Sequence, residues 1–195
     1  MFIGVSPSCI SKGAHSTGGA SNPNVVSSSQ DGDYPLDIQS GDVILTTLSS
    51  SALVTVAIDF TSVASGSSAG VNYNVAYKIS DGSETGSIGA IAQSIGCLVL
   101  RNVDTATLVI NAASGASWPS LTGLTAGSTI IAMGYSNNGS GAFGGVTIPA
   151  GWTSYQASGL EIVAVKDEVA PGTSFSFTGL SNGGSLTMCY SIGIA

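Results

Sequence analysis

The chain has 195 residues, of which 43% are hydrophobic and 8% charged, and its formal net charge is −7. A soluble domain is typically about a quarter charged, so this surface must be polar through Ser, Thr, Asn and Gly. Its hydrophobicity excludes a disordered chain, its 27 glycines follow no triplet period and exclude collagen, and its four basic residues, Lys12, Lys78, Arg101 and Lys166, are too scattered for the footprint of a nucleic-acid binder.

Taken in chain order, short strand-like runs alternate with Gly, Asn, Asp and Ser clusters. Residues 2–5 are apolar and are expected as a first strand. The start carries no basic region before a long apolar core, and no apolar stretch reaches bilayer length. The expectation is therefore a complete cytoplasmic product with no membrane insertion. Residues 11–35 are rich in Ser, Gly and Asn and are expected as a long loop or assembly arm. Residues 43–45 are a strand, and residues 53–60 alternate as LVTVAIDF, which predicts a half-buried strand. Residues 71–79 alternate cleanly, with Val71, Tyr73, Val75, Tyr77 and Ile79 on one face.

Asp81-Gly82 is a turn signal. Further strands are expected at residues 97–100, 108–110, 129–133, 147–148, 160–166, 174–178 and 186–194. Asn137-Asn138-Gly139 reads as a turn, residues 139–145 as a loop, and residues 149–153 (PAGWT) as a turn that plants Trp152. A single helical turn is allowed near residues 112–116. About ten to thirteen short strands in one domain, residues 1–195, predict an all-β fold: a single antiparallel two-sheet β-sandwich, jelly-roll-like. The odd count of cysteines, Cys9, Cys97 and Cys189, does not suit a disulfide framework. Cys97 and Cys189 sit in apolar runs and are expected as buried free thiols, in keeping with a reducing cytoplasm.

A weak internal echo is present. Ser40-Gly41-Asp42-Val43-Ile44-Leu45 is similar to Ala126-Gly127-Ser128-Thr129-Ile130-Ile131, and Val75-Ala76-Tyr77-Lys78 to Val163-Ala164-Val165-Lys166, at offsets of 86 and 88 residues. Two pseudo-equivalent halves, each giving strands to both sheets, would produce it; so would chance in a low-complexity alphabet.

Catalytic chemistry finds little support. His15 is the single histidine and lies in the Gly/Ser-rich segment, where no triad would hold its imidazole. Zinc needs more His and Cys ligands at suitable spacing. Asp31-Gly32-Asp33 reads as a turn, not a calcium loop. Among the acids, Asp59, Glu84, Asp104 and Glu161 could form a carboxylate pair only if the fold brought two to one groove. Glu84 follows the Asp81-Gly82 turn and is expected to pair with Arg101 across strands. Of the aromatics Trp118, Tyr135, Phe143, Trp152 and Tyr155, the candidates for a surface binding site are Trp152, Phe143 and Tyr155. The competing reading makes them core or subunit contacts.

Four elements resemble a bacteriophage and prophage β-sandwich family. Ser40-Gly41-Asp42-Val43-Ile44-Leu45 resembles its GD-then-strand element. Residues 75–79 (VAYKI), followed by Asp81-Gly82-Ser83-Glu84-Thr85, resemble its YK-x-A-x-G-x-E element. Residues 98–104 (LVLRNVD) resemble its YRGVD element, with Asn102 where Gly is usual. Pro149-Ala150-Gly151-Trp152-Thr153 resembles its PAGWT turn. A second GWT, which the family often carries soon after the GD strand, is not found. The resemblance implies a virion protein assembled in the host cytoplasm: a non-enzymatic tail-fibre, neck, collar or appendage subunit contributing to host attachment. A capsid decoration protein and a carbohydrate- or receptor-binding module are the alternatives. The expected partners are further copies of the chain, with a trimer the first choice, other virion proteins and a host surface glycan or receptor. No cofactor or metal is expected.

Overall fold

The computed structural model describes residues 23–29, 32–68, 70–105, 110–115, 118–124, 127–135, 146–156, 161–166, 174–177 and 188–194. The strands are β1 (Asn24–Ser29), β2 (Val43–Ser50), β3 (Thr61–Ser68), β4 (Val71–Ile79), β5 (Ser94–Arg101), β6 (Ile110–Gly115), β7 (Leu121–Thr122), β8 (Thr129–Tyr135), β9 (Thr153–Gln156), β10 (Glu161–Lys166), β11 (Ser174–Phe175) and β12 (Met188–Ile194). One antiparallel sheet has the order β1-β5-β2-β4-β3, the second β6-β12-β8-β10-β9, and β7 pairs with β11.

The two sheets face each other across one core. Alternate residues of the first sheet, Val43, Leu45, Val75, Leu98 and Leu100, meet Ile131, Met133, Val163, Ile192 and Ile194 of the second. The inward set on β4 includes Val71, Tyr73, Val75 and Tyr77, as the alternation predicts, but Ile79 at the strand end is exposed and outside the core. Cys97 and Cys189 are buried free thiols. Burial pushes the Cys97 thiol up to about 12, against a hydrogen bond with Ser29, so it stays protonated at neutral pH and unreactive.

The chain completes one sheet before it begins the other. This corrects the expectation that each half contributes to both sheets. It also sets the connectivity apart from a jelly roll, whose successive strands alternate between sheets. Each half instead builds the same object. Numbered within its own half, each sheet has the strand order 1-5-2-4-3 once the short β7 and β11 are set aside.

Register matches as well as order. Ile44 lies between Lys78 and Val99, and Ile130 between Lys166 and Gly193. Leu45 lies between Tyr77 and Leu98, and Ile131 between Val165 and Ile192. Thr61 opposes Tyr77, as Thr153 opposes Val165. Val25 opposes Leu100, as Ile110 opposes Ile194. The echo read from β2/β8 and β4/β10 therefore extends to all five strands of each sheet.

In each half the order 1-5-2-4-3 leaves three connections that skip a strand and run back over the sheet. In the first half, Tyr34 and Ile38, Ala57 and Phe60, and Ile88 and Ala90 come one pair from each connection. All pack on the outer face with Ile44, Cys97 and Val99. In the second half the outer residues Ile130, Ala132, Ala164 and Cys189 are covered by Trp118, Leu121 and Leu124, by Val146, Ile148 and Trp152, and by Phe175 and Phe177. The first and third connections are stitched together in both halves, through the Asp33–Ser87 bridge in one and the β7–β11 pair in the other.

Three expectations need correction. Within 11–35, residues 24–29 are an edge strand, because Val25 reaches the main core and Val26 the outer cluster while the serines need only backbone pairing with β5. Residues 53–60 are a crossover lying on the sheet, not a strand, and the strand follows at Thr61–Ser68. Residues 112–115 belong to β6, not to a helical turn. Residues 2–5, 11–22 and 136–145 lie outside the described residues.

The repeat gives two tests of packing. At the position of Val99 the second half has Gly193, and a Cβ there would stand 2.5 Å from Leu124 Cδ2. Gly193→Val is expected to lower stability by about 1–3 kcal/mol through overpacking, although valine is native at the matching site. At the position of Cys97 stands Ser191, whose buried hydroxyl has no hydrogen-bond partner among the described residues. Ser191→Ala removes an uncompensated polar group and is expected to be neutral or stabilising by up to about 1 kcal/mol. Urea denaturation of both variants checks this; a Gly193→Val protein as stable as the parent would contradict the packing at Leu124.

Candidate functional site

The chemistry-bearing side chains of the described residues gather on the outer faces, under and between the crossovers. On the first half, Lys78 leaves β4 on the outer side, opposite Ile44. Its ammonium pairs with Asp59 of the second crossover and, at 3.0 Å, with Glu84 of the third. It also lies 5.7 Å from the ring centre of Tyr34 and 5.8 Å from that of Phe60. One cation thus pins all three crossovers to the sheet.

The Asp81-Gly82 turn builds the Glu84 end of this network. Gly82 has φ +87°, and a Cβ there would lie 2.9 Å from the backbone nitrogen of Ser40, so only glycine fits. Glu84 Oε2 accepts from the Ser80 hydroxyl and the Gly82 N–H, and Oε1 accepts from the Asp81 N–H. Only 3% of the Glu84 side chain is exposed. Burial alone would raise its pKa, but the hydrogen bonds from Ser80, Lys78 and backbone N–H groups outweigh burial and hold it at about 2. Burial likewise opposes the charge on Lys78, and its hydrogen bonds to Asp59 and Glu84 raise its pKa above the ordinary lysine range.

Arg101 has a different partner. Its Nε and Nη2 donate to the two carboxylate oxygens of Asp42 at 2.9 and 2.8 Å, and Nη2 also donates to the Asp37 carbonyl. The expected Glu84–Arg101 pair is therefore not formed. Arg101 ends β5 beside the start of β2, where the buried Asp42 is its neighbour, whereas Glu84 lies in the crossover above Lys78. Gln39, Asp42, Arg101, Asn102 and Thr105 line an open hollow of about 460 Å³ at this end of the sheet. Asn102 in its lining has positive φ, as does Asp37, whose carbonyl accepts from Arg101.

Of the four acids considered for a carboxylate pair, Asp59 and Glu84 do converge, but on Lys78 as counter-ions. Among the described residues, no group of three or more His, Cys, Asp and Glu is placed to hold a metal ion. None of their helices is long and apolar enough to cross a membrane. Trp118 is a core residue whose indole N–H donates to the Met133 carbonyl at 3.1 Å, and Tyr135 is fully buried.

Trp152 is half-buried on the outer face of the second half. It meets Phe175 edge-on at 6.0 Å and Phe177 at 5.9 Å, and these two phenylalanines stand at right angles 5.1 Å apart. Tyr155 lies on β9 opposite Val163. Phe143 and His15 lie outside the described residues. Aligning the halves through β3 and β9 places residues 54–62 (VTVAIDFTS) on residues 146–154 (VTIPAGWTS). Asp59-Phe60-Thr61 thus occupies, in the first half, the place that Gly151-Trp152-Thr153 holds in the second. No sequence motif flags it, because only the threonine is shared.

Comparison with protein-family models, with curated proteins and with solved structures finds no match for this chain. The fold and its sites define a two-sheet β-sandwich built from two like halves, each with a covered and chemically distinct outer face.

The Glu84 network has a pH signature. Its folded pKa, about 2, lies below the ordinary 4.5, so the unfolded chain binds the proton more readily. The carboxylate therefore stabilises the fold above about pH 4.5, and this is lost as pH falls towards 2. The contribution is at most about 3 kcal/mol. Denaturant titrations between pH 6 and pH 2 should show a steeper loss for the parent than for Glu84→Gln; equal slopes would refute the network's role.

Proposed function

We propose that the chain is a non-enzymatic structural protein of a bacteriophage particle, a tail, neck or collar appendage subunit that assembles through the crossover side of its first sheet and contributes to host attachment. One observation carries the assembly part. Leu53 and Ile91 are 65% and 57% exposed, Ile58 is fully exposed, and Leu36 is 82% exposed. All four stand on the crossovers of the first half, and the Thr55–Ile91 bridge ties the second crossover to the third. A single exposed leucine needs no explanation, but several large aliphatics on one covering layer do, and an interaction surface supplies it. The resemblance of the GD, YK, RNVD and PAGWT elements supports the virion setting. The scarcity of charge suits close packing of copies, and the intended product is a closed symmetric oligomer, a trimer in this reading.

Sedimentation of the purified chain is expected to show the trimer, and Leu53→Asp/Ile58→Asp is expected to sediment as a folded monomer. Tagged protein should be found by electron microscopy on the tail, neck or collar. Label on the capsid faces instead would select a decoration role. A parent that stays monomeric, together with particles complete and infectious without it, would overturn the reading.

A further inference from the structure

The two halves supply an internal comparison. In the first, a carboxylate is already bound on the outer face: Asp59 sits on Lys78, beside the Phe60 ring. In the second, Lys166 stands in the register of Lys78, opposite Ile130 as Lys78 is opposite Ile44. Trp152 replaces Phe60, and Gly151 replaces Asp59. Lys166 extends to this loop, since its Nζ lies 3.4 Å from where a Gly151 Cβ would be. The cation and the aromatic are therefore kept while the built-in acid is gone, and among the described residues Lys166 makes no ion pair.

The surroundings differ in one further respect. Where the first half has the Tyr34 and Phe60 rings about its lysine, the second has the half-buried trio Trp152, Phe175 and Phe177. Beside it lie the exposed serines Ser120 and Ser176, whose hydroxyls are 3.2 Å apart. The half-buried Trp152 ring, backed edge-on by Phe175, with exposed hydroxyls on the same covering layer and the Lys166 ammonium at the adjoining Gly151, matches a pyranose that carries a carboxylate. The C–H face of such a sugar lies on the rings, its hydroxyls meet the serines, and its acid group meets the lysine.

We propose that the outer face of the second half binds a carboxylate-bearing sugar of the uronic-acid type, its carboxylate on Lys166 where Asp59 sits on Lys78, and its ring against Trp152. The inference deepens the attachment role proposed above and is tested apart from assembly.

The probes are a glucuronic-acid oligosaccharide, its carboxyl-reduced neutral counterpart and an oligoglutamate peptide, each titrated by calorimetry against the full chain. The acidic sugar is expected to bind at least about ten-fold more tightly than the neutral one, as befits a charge-assisted hydrogen bond, and to weaken with salt. Lys166→Gln should bring the acidic sugar down to the neutral level. Gly151→Asp restores the carboxylate of the first half and should abolish the preference, whereas Gly151→Asn places a similar side chain at the same positive φ without charge and should retain it. Equal binding of the two sugars, no binding of either, or oligoglutamate binding as well as the acidic sugar would each overturn the assignment. The oligomeric state and particle location read out assembly independently, so loss of one result leaves the other standing.

Discussion

An antiparallel sheet with the order 1-5-2-4-3 cannot be joined by hairpins alone. Only the β3–β4 link in the first half and the β9–β10 link in the second join neighbours. Every other link skips one strand, so it joins two strands that run the same way and must return along the length of the sheet. Reversing both the strand direction and the direction of travel preserves the hand. Three crossovers of one hand, the preferred outcome for such connections, therefore all fall on the same face. The rest of the structure follows from this. One face of each sheet is occupied by its own crossovers, the other is left bare and apolar, and the two bare faces close on each other as the core.

Within that constraint the halves differ by exchanging size for size. At matching inward positions β2 carries Thr47 and Ser49 where β8 carries Met133 and Tyr135. On β4, Tyr77 matches Val165 on β10. The larger side chains sit in one sheet at some levels and in the other at different levels, which lets two like layers interdigitate at close packing. The Tyr135 hydroxyl reaches across to Gln93 Oε1 at 3.4 Å, the far edge of a hydrogen bond, so the second half touches a crossover end of the first.

The central strands were legible in the sequence because they are buried on both sides or alternate cleanly: β2, β4, β5, β8, β10 and β12 all carry apolar residues at the required spacing. The edge strands were not. β3 reads TSVASGSS, with almost nothing to bury, and β1 reads NVVSSS; both are strands because a neighbour offers backbone hydrogen bonds. Residues 53–60 misled for a related reason. An extended crossover lying on a sheet also alternates, with Ala57 turned in and Ile58 out, so period two cannot separate it from a strand. The candidate site was half legible. Trp152 and Glu84 could be picked out locally, but their partners could not: Lys78 meets Asp59 and Glu84 through crossovers, and Arg101 meets Asp42 through the β2–β5 register, neither of which sequence distance reveals. The equivalence of Asp59-Phe60-Thr61 with Gly151-Trp152-Thr153 needed the strand register to show itself.

In a chain this poor in charge, Lys78 and Arg101 each mark a place where covering segments are held down. The first half is pinned electrostatically, by Lys78 beneath three crossovers and by Arg101 clamped to Asp42. The second half is pinned by aromatic volume: Trp118, Trp152, Phe175 and Phe177 fill the layer that smaller residues and ion pairs fill in the first, and Ser128 follows Gly127 where Asp42 follows Gly41. Ion pairs are directional and satisfy their own charges, so they leave little for an outside group to meet. Rings cover area without consuming charge. Among the described residues, the second solution to the same covering problem leaves Lys166 without the ion pairs that occupy Lys78. At the one matched position where the first half sets Asp59 on its lysine, the second half has Gly151 beside Lys166.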